Sequence, residues 1–298
     1  MITLKQINYA LAVAKHLHFK NAAESCSVSQ SALSSAISEL EKQLGIEIFE
    51  RDNKHVLITA YGKQFLEKAE KIILQVEDLY RFAQQGSQPL SYPIIIGVIP
   101  TIGPYLLPKV LPTVRETYPD AQITIVEEQS KVLVDMVRSG EIDAGILALP
   151  YPVDGLHTFE FWQEDFYIVS HKSSDMAQLK EIDSASLKQT RLLLLKDGHC
   201  LRDHALAACK LSATQSDISL SGASLYTLIQ MVAGKMGATM VPEMALSQLV
   251  SQNSEVAVSH LDEPGPHRRI AFITRLNYPN VDAIQQLMKL FRGVLKTS

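Results

Sequence analysis

The feature that most constrains the fold is a change in hydrophobic periodicity close to residue 90. Before it, apolar residues recur at steps of three and four, which is the spacing of one face of an α-helix. After it, short apolar runs alternate with helical patterns, which indicates strands and helices in turn. The segment GSQPLSYP (86–93) lies between the two parts and is rich in residues that break regular structure. The sequence therefore predicts a helical N-terminal part, a hinge at 87–92 and an α/β C-terminal part.

The first 60 residues have the pattern of a winged helix-turn-helix domain. Helices are predicted at 4–17, 21–28 and 29–45, and two short strands are predicted within 46–60. Asn21 is expected to cap the second helix, since its side-chain oxygen can accept from a free backbone N–H. Gly45 is expected to end the third helix, because glycine readily adopts the left-handed conformation found there.

The third helix has a free face made almost entirely of hydroxyl groups. Its apolar stripe consists of Leu33, Ile37, Leu40 and Leu44, and its opposite face carries Gln30, Ser31, Ser34, Ser35 and Ser38. Exposed helix faces usually carry lysine and glutamate, whereas serine and glutamine can hydrogen-bond base edges and phosphates. We interpret this helix as the one that enters the major groove, with Arg51, Lys54 and His55 on the wing beside it. A helical subdomain with a polar surface is the alternative.

Net charge gives no independent support for nucleic-acid binding. The whole chain carries −4, and residues 1–60 hold six basic and six acidic side chains. Binding to double-stranded promoter DNA would therefore depend on individually placed groups. The composition, 46% hydrophobic and 20% charged, is that of an ordinary globular protein. With no apolar run long enough to span a membrane and no signal-peptide pattern, a cytoplasmic location is expected.

A long helix is predicted over 61–86, between the first domain and the hinge. Its apolar residues follow steps of 4, 3, 4, 3 and 4, which is the seam of a coiled coil. The seam consists of Phe65, Ala69, Ile72, Val76, Leu79 and Ala83. A seam needs a partner, and a second copy of the chain would present two recognition helices to a two-fold DNA site. A helix packed on its own domain is the alternative.

The C-terminal part, 93–298, alternates strand-like and helix-like segments. The strand-like runs are 94–99, 123–127, 144–149, 166–170, 191–195, 238–241 and 269–274. This alternation predicts largely parallel sheets in two α/β subdomains, with a ligand cleft between them. Subdomain I is expected at about 93–163 and 268–298, and subdomain II at about 164–267.

Two of the three cysteines lie in the charged segment KDGHCLRDHALAACK (196–210). Gly198 allows a turn, which places Cys200 at or near a helix N-terminus, where the helix dipole favours a thiolate. Protonated His199 and Arg202 would add positive potential, and Asp203 would oppose them unless it orients one of them. The alternative is that these thiols, like Cys26, are small buried hydrophobic groups. The spacing around His199 does not match a metal site.

Several segments carry a resemblance to a known family. FKNAAESCSVSQSALSSAISELEKQLGIEIFER (19–51) resembles the DNA-binding signature of LysR-type transcriptional regulators. IGVIPTIGPYLLP (96–108), SGEIDAGILAL (139–149) and MVAGKMGATMVPEMAL (231–246) extend the resemblance through the C-terminal part. Within the family, PTIGPYLLP together with LLLLKDGHCLRDHALAAC (192–209) resembles the branch that senses hydrogen peroxide.

The resemblance implies a tetrameric, non-enzymatic transcription factor with a periplasmic-binding-protein-like regulatory domain and no cofactor. It implies that peroxide oxidises Cys200, that Cys209 then forms a disulfide with it, and that RNA polymerase recruitment at antioxidant genes changes. Glutaredoxin- or thioredoxin-type reductants would reverse the change. The peroxide pocket would contain Thr101, Ser130, His199, Arg202 and Asp203; Ser130 stands where threonine is usual and keeps the hydroxyl.

Helix geometry adds a condition to that disulfide. If one helix runs from Cys200 to Cys209, nine residues separate the thiols by roughly 13 Å along the axis. A disulfide needs Cα atoms about 4.4–6.8 Å apart, so the segment 200–209 would have to refold. Two alternatives stay open from the sequence: a LysR-type regulator that binds a small organic effector in the cleft, and a thiol peroxidase.

Overall fold

The computed structural model describes residues 1–51, 56–83, 90–188, 190–209, 221–222, 224–251 and 253–297. The chain divides into two compact units, Met1–Gln84 and Gln85–Ser298. Within the described ranges, no helix combines the length and apolar character needed to cross a membrane.

The first unit contains three helices, a hairpin and one long helix among its described residues. These elements are α1 (Leu4–His16), α2 (Phe19–Ser25), α3 (Gln30–Leu44), β1 (Phe49–Arg51), β2 (Val56–Ile58) and α4 (Ala60–Ala83). β1 and β2 are antiparallel, with Phe49 opposite Ile58. Apolar residues of the three short helices, the hairpin and the start of α4 form one core. The predicted winged helix-turn-helix is confirmed.

The ends of α2 and α3 show where local chemistry was predicted correctly and where it was not. Gly45 ends α3 with φ +68°, as predicted. The predicted cap at Asn21 is wrong, because α2 begins at Phe19 and His18 caps it. The extended His18 accepts a 3.4 Å hydrogen bond from the Asn21 N–H at its ring Nδ1. A ring nitrogen can satisfy a free helix N–H as an oxygen does, so the helix starts two residues earlier.

The predicted seam of α4 has two parts. Phe65 packs against the core of the first unit and Ala69 is buried. Ile72 and Leu79 are 42% and 67% exposed, which leaves apolar surface uncovered within this chain. The first part of α4 therefore packs as the alternative proposed for the helix, and the second part keeps the properties expected of a seam.

The second unit is built on two sheets. Its described strands are β3 (Pro93–Val98), β4 (Gln122–Glu127), β5 (Ala144–Leu149), β6 (Leu156–Glu164), β7 (Phe166–His171), β8 (Glu181–Ile182), β9 (Leu192–Leu195), β10 (Ser221–Gly222), β11 (Ala238–Pro242), β12 (Val256–Leu261) and β13 (Arg268–Arg275). Its described helices are α5 (Gly103–Thr117), α6 (Ser130–Ser139), α7 (Ser184–Leu187), α8 (Cys200–Ala208), α9 (Leu225–Ala233), α10 (Glu243–Leu249) and α11 (Val281–Thr297), with a 3₁₀ turn at Asp175–Gln178.

The two sheets are mixed, so the prediction of largely parallel sheets is wrong in part. The first has the order β4-β3-β5-β13-β6 and the second β10-β9-β11-β7-β12-β8. β13 runs antiparallel to both of its neighbours, and β7 does so as well. In each sheet, strands that return from the other sheet add antiparallel pairs to a parallel set, as in many α/β domains.

The chain crosses between the two sheets at two places that lie side by side. β6 ends at Glu164 and β7 begins at Phe166, while β13 begins at Arg268, directly opposite Glu164 in register. One continuous apolar core extends through both sheets and their helices. We propose that the sheets correspond to subdomains I and II, with the boundaries predicted above.

Candidate functional site

Helix α8 places the two cysteines at its opposite ends. Cys200 is its first residue and Cys209 is its C-cap, and both are free and buried. Gly198 has φ +98°, and a Cβ there would lie 2.4 Å from Gln129 Oε1. Only glycine combines that backbone conformation with that close approach. The turn before α8, predicted at Gly198, is thereby held against the start of α6.

Burial and several neighbouring groups have opposite effects on the pKa of the Cys200 thiol. Burial is the largest influence and raises the pKa of the Cys200 thiol above its ordinary value. The Ser130 hydroxyl and the Arg268 charge lower this pKa, as does a backbone hydrogen bond with Ala148. Asp203 raises it. The pKa stays raised overall, which corrects the expectation that the helix N-terminus would make the thiolate the main form at neutral pH.

Ser130, on helix α6 of the first sheet, brings a hydroxyl group next to Cys200. It is the first residue of α6 and is 1% exposed. Its hydroxyl favours the Cys200 thiolate, yet its Oγ has no hydrogen bond of regular geometry among the described residues. The hydroxyl therefore acts as a dipole beside the sulfur and is open to a hydrogen bond from another group.

Arg268 supplies the positive charge at the site and is itself fully buried. Its Nη2 and Nε lie 2.7 Å from Glu164 Oε1, and both side chains are 0% exposed. It also donates to Thr101, at 3.2 Å to the backbone oxygen and 3.4 Å to Oγ1. Glu164 Oε2 in turn accepts from the Met244 N–H at 2.7 Å. Thr101, predicted as a peroxide-pocket residue, therefore helps to hold the arginine in place through its backbone oxygen and its hydroxyl.

Of the neighbours of Cys200 in sequence, His199 and Arg202 differ from the prediction, whereas Asp203 opposes the thiolate as predicted. Arg202 lies two positions after Cys200 on α8, so the two side chains face different directions. Arg202 forms an ion pair with Asp197 instead. Burial lowers the pKa of His199, which keeps its ring neutral instead of protonated. Its Nε2 lies 3.5 Å from Gln129 Nε2. Asp203 is exposed and raises the pKa of Cys200.

Cys209 lies in a more uniformly apolar setting. It is 0% exposed, and burial, followed by the negative charge of Glu263, raises the pKa of its thiol to about 12. Along the axis of α8 it lies roughly 13 Å from Cys200 at about 1.5 Å per residue. Among the described residues, no group of three or more His, Cys, Asp or Glu side chains is placed to hold a metal ion.

A cavity of about 320 Å³ opens beside this site, between the two sheets of the second unit. Thr101, Tyr105 and Glu127 line it from one side. His199, Tyr226 and Gln248 line it from the other. Its volume is within the range of small-molecule sites.

The hydroxyl-rich face of α3 is on the surface of the first unit. Gln30, Ser31, Ser35 and Ser38 are exposed and Ser34 is half-buried. Leu33, Ile37 and Leu40 are fully buried on the opposite side. Arg51 ends β1, while Lys54 and His55 lie outside the described residues. The face predicted to enter the major groove is thus available for contact.

Sequence reasoning did not identify Arg268, Glu164 or Gln129 as site residues. Arg268 lies 68 positions beyond Cys200 and comes near it through the pairing of β13 with β5 and β6. Its neighbour Arg269 is partly exposed and pairs with Glu160. The residues around Arg268 and Arg269 do not show which of the two is buried, because burial depends on strand register.

Family models cover nearly the whole chain. Residues 4–63 match the bacterial regulatory helix-turn-helix protein, lysR family. Residues 87–296 match the LysR substrate binding domain.

Individual relatives match over nearly their full length. The HTH-type transcriptional regulator EstR of Acinetobacter baylyi is 34% identical over 99% of this chain and 98% of its own. A probable hydrogen peroxide-inducible genes activator of Streptomyces viridosporus is 33% identical over 99% of this chain and 95% of its own. The structure of a full-length OxyR variant from Pseudomonas aeruginosa is 34% identical, covers 98% of both chains and has a TM-score of 0.76.

Proposed function

Because the chain belongs to the LysR family of transcriptional regulators, and not to an enzyme class, we propose that it senses hydrogen peroxide through Cys200 and changes transcription accordingly. The observation that carries the proposal is the position of Cys200 at the start of α8, beside Ser130 and the charge of Arg268. Similarity to a peroxide-inducible activator and to OxyR supports it.

The first step is oxidation of Cys200. The thiolate sulfur attacks one peroxide oxygen, an S–O bond forms and the O–O bond breaks. The leaving hydroxide takes a proton and becomes water, so the sulfur loses two electrons and peroxide gains them. The open hydroxyl of Ser130 is suited to hydrogen-bond the peroxide, and Arg268 offsets the negative charge that is transferred. Neutral His199, together with the polar cleft beside it, would supply a route for the proton.

The second step is disulfide formation with Cys209. Its thiolate attacks the sulfenic sulfur, an S–S bond forms, and the hydroxyl leaves as water with the proton of the Cys209 thiol. Since α8 separates the two residues by roughly 13 Å, the helix would unwind before they meet. A thiol reductant of the glutaredoxin or thioredoxin type would then restore both thiols.

The first unit would bind the DNA. The hydroxyl-rich face of α3 would read the major groove. The exposed apolar residues of α4, Ile72 and Leu79, would meet the same surface of a second chain. The protein would assemble as a tetramer, and its contact with RNA polymerase would change after oxidation. Refolding of 200–209 would change how the recognition helices are spaced on promoter DNA.

Peptide mapping after peroxide treatment tests the proposal directly. Full-length protein treated with one equivalent of peroxide should yield a Cys200–Cys209 disulfide peptide, and its footprint on promoter DNA should change. The Cys200→Ser protein should show neither. A changed footprint in wild type without that peptide would contradict the disulfide mechanism.

The cavity of about 320 Å³ favours a second candidate function, a regulator that responds to a small organic molecule. It carries one carboxylate, Glu127, and tyrosine, glutamine and histidine side chains, so a ligand that donates hydrogen bonds would fit it. A Cys200→Ser protein that still responds fully to its inducer would favour this candidate.

A further inference from the structure

His204 lies one helical turn beyond Cys200, on the same side of α8. It is 4% exposed, and its Nε2 lies 2.8 Å from the backbone oxygen of Pro150. A carbonyl oxygen only accepts hydrogen bonds, so Nε2 carries the proton and donates it. Burial lowers the pKa of His204, so the ring is neutral at pH 7 and its Nδ1 is an unprotonated acceptor. This Nδ1 has no hydrogen-bond partner among the described residues.

This hydrogen bond joins α8 to a segment of the other sheet. α8 packs against β9 of the second sheet, whereas Pro150 directly follows β5 of the first. His204 bonds the main chain directly after β5, four residues beyond Cys200, whose thiol has a backbone hydrogen bond with Ala148 within β5. The bond holds only while residue 204 stays in helical conformation.

We infer that His204 is a positioning residue that holds α8 in its helical form while the cysteines are reduced, and that it makes disulfide formation dependent on pH. The inference rests on the proposed disulfide switch. Unwinding α8 breaks the bond to Pro150 and exposes the imidazole to water. The helical form therefore carries a stabilising contact that the disulfide form lacks.

The pH dependence follows from the groups around His204. Burial is the main cause that lowers the pKa of His204, and the charge of Arg268 from β13 lowers it further. The Pro150 oxygen and Asp203, on the same helix, raise it. In the unwound form the ring regains its ordinary pKa of about 6.5. Proton uptake then accompanies unwinding as the pH falls below about 6.5, so acid favours the disulfide form.

Two variants separate the hydrogen bond from the titration. His204→Ala removes both, whereas His204→Gln keeps an N–H donor of similar reach and cannot titrate. His157→Gln, on the exposed face of β6, is the matched control for loss of a histidine.

The full-length proteins are equilibrated with glutathione buffers at pH 5.5 and 7.5, and the disulfide fraction is measured by mass spectrometry after alkylation. At pH 7.5, His204→Ala should shift the equilibrium toward the disulfide by about 3- to 10-fold, the value of one hydrogen bond. Wild type and His157→Gln should shift toward the disulfide by up to about 10-fold between pH 7.5 and 5.5 relative to His204→Gln. An unchanged equilibrium in His204→Ala, or an equal pH shift in His204→Gln, would overturn the inference.

Failure of the proposed function gives a different result. If wild type forms no Cys200–Cys209 disulfide at any potential, the switch itself is absent. Hydrogen exchange of the α8 amides in the reduced proteins then decides the role of His204. Exchange should be faster in His204→Ala than in His204→Gln, and equal rates would show that His204 does not hold the helix.

Discussion

The two ends of helix α8 differ in chemistry although both carry a buried free cysteine. At Cys200, the Ser130 hydroxyl and the Arg268 charge oppose the effect of burial on the thiol pKa. At Cys209, burial and the charge of Glu263 act in the same direction and raise the pKa to about 12. Burial alone therefore does not distinguish the two thiols. The distinction depends on which polar groups reach the sulfur from other elements.

The largest expected effect comes from exchanging each cysteine for serine. Cys200→Ser should lose peroxide oxidation at this site entirely. Cys209→Ser should react with peroxide at nearly the wild-type rate and accumulate a sulfenic acid, because only the second step needs it. Trapping with a sulfenic-acid probe and mass spectrometry measures both. Preferred oxidation of Cys209 in the wild-type protein would show that Cys209, and not Cys200, is the cysteine that reacts first with peroxide.

Replacement of the buried arginine should have the next largest effect. Arg268→Met removes the positive charge near Cys200, which should raise the pKa of the thiol further and slow oxidation at neutral pH by about tenfold or more. It also leaves Glu164 buried without its partner, at a cost of about 3–5 kcal/mol in the free energy of unfolding.

A double variant separates these two effects. Arg268→Met with Glu164→Gln removes both charges and keeps an acceptor for the Met244 N–H. It should regain most of the stability in urea denaturation while its oxidation stays slow. Recovery of the oxidation rate together with the stability would show that Arg268 has only a structural role.

The pH dependence of oxidation tests the state of the Cys200 thiol in the wild-type protein. Because the pKa of Cys200 is raised, the thiolate is the minor form at neutral pH. The oxidation rate should rise by up to about tenfold per pH unit from pH 6 to pH 8. Stopped-flow reaction with peroxide measures it. A rate that is constant over this range would mean that the thiol is already ionised.

The smallest expected effect concerns the hydroxyl of Ser130. Ser130→Ala removes one dipole beside the sulfur and should slow oxidation by about 3- to 10-fold, the value of one hydrogen bond. Ser130→Thr keeps the hydroxyl and should stay close to the wild-type rate. Equal rates for the alanine and threonine variants would exclude a role for the hydroxyl.

Local sequence pattern was sufficient for α8 and insufficient for its surroundings. The glycine turn at Gly198 and the helix that begins at Cys200 were predicted from neighbouring residues. The effect of Arg202 was predicted wrongly, because the direction of its side chain depends on helix phase and on the partner Asp197. Arg268 could not be predicted, since its approach depends on strand register across the sheet.

The strands show the same division. The seven predicted runs correspond to strands, because each is a short segment rich in apolar residues. Six of them are largely buried, and β4 is half-buried to exposed. β6 and β12 were not predicted, because most of their residues are exposed or half-buried and polar side chains interrupt the apolar pattern. β8 and β10 have two residues each, which is too short for any periodicity to be read.

The Arg268–Glu164 pair lies where the chain passes twice between the two sheets, so the charge beside the thiol belongs to the same few residues that connect the sheets. Any ligand that favours one orientation of the sheets would then change the reactivity of Cys200. Thermodynamic reciprocity requires the converse: if oxidation changes the affinity for promoter DNA by some factor, bound DNA changes the oxidation equilibrium by the same factor. On this basis a regulator molecule on its promoter and one free in solution would have different midpoint potentials.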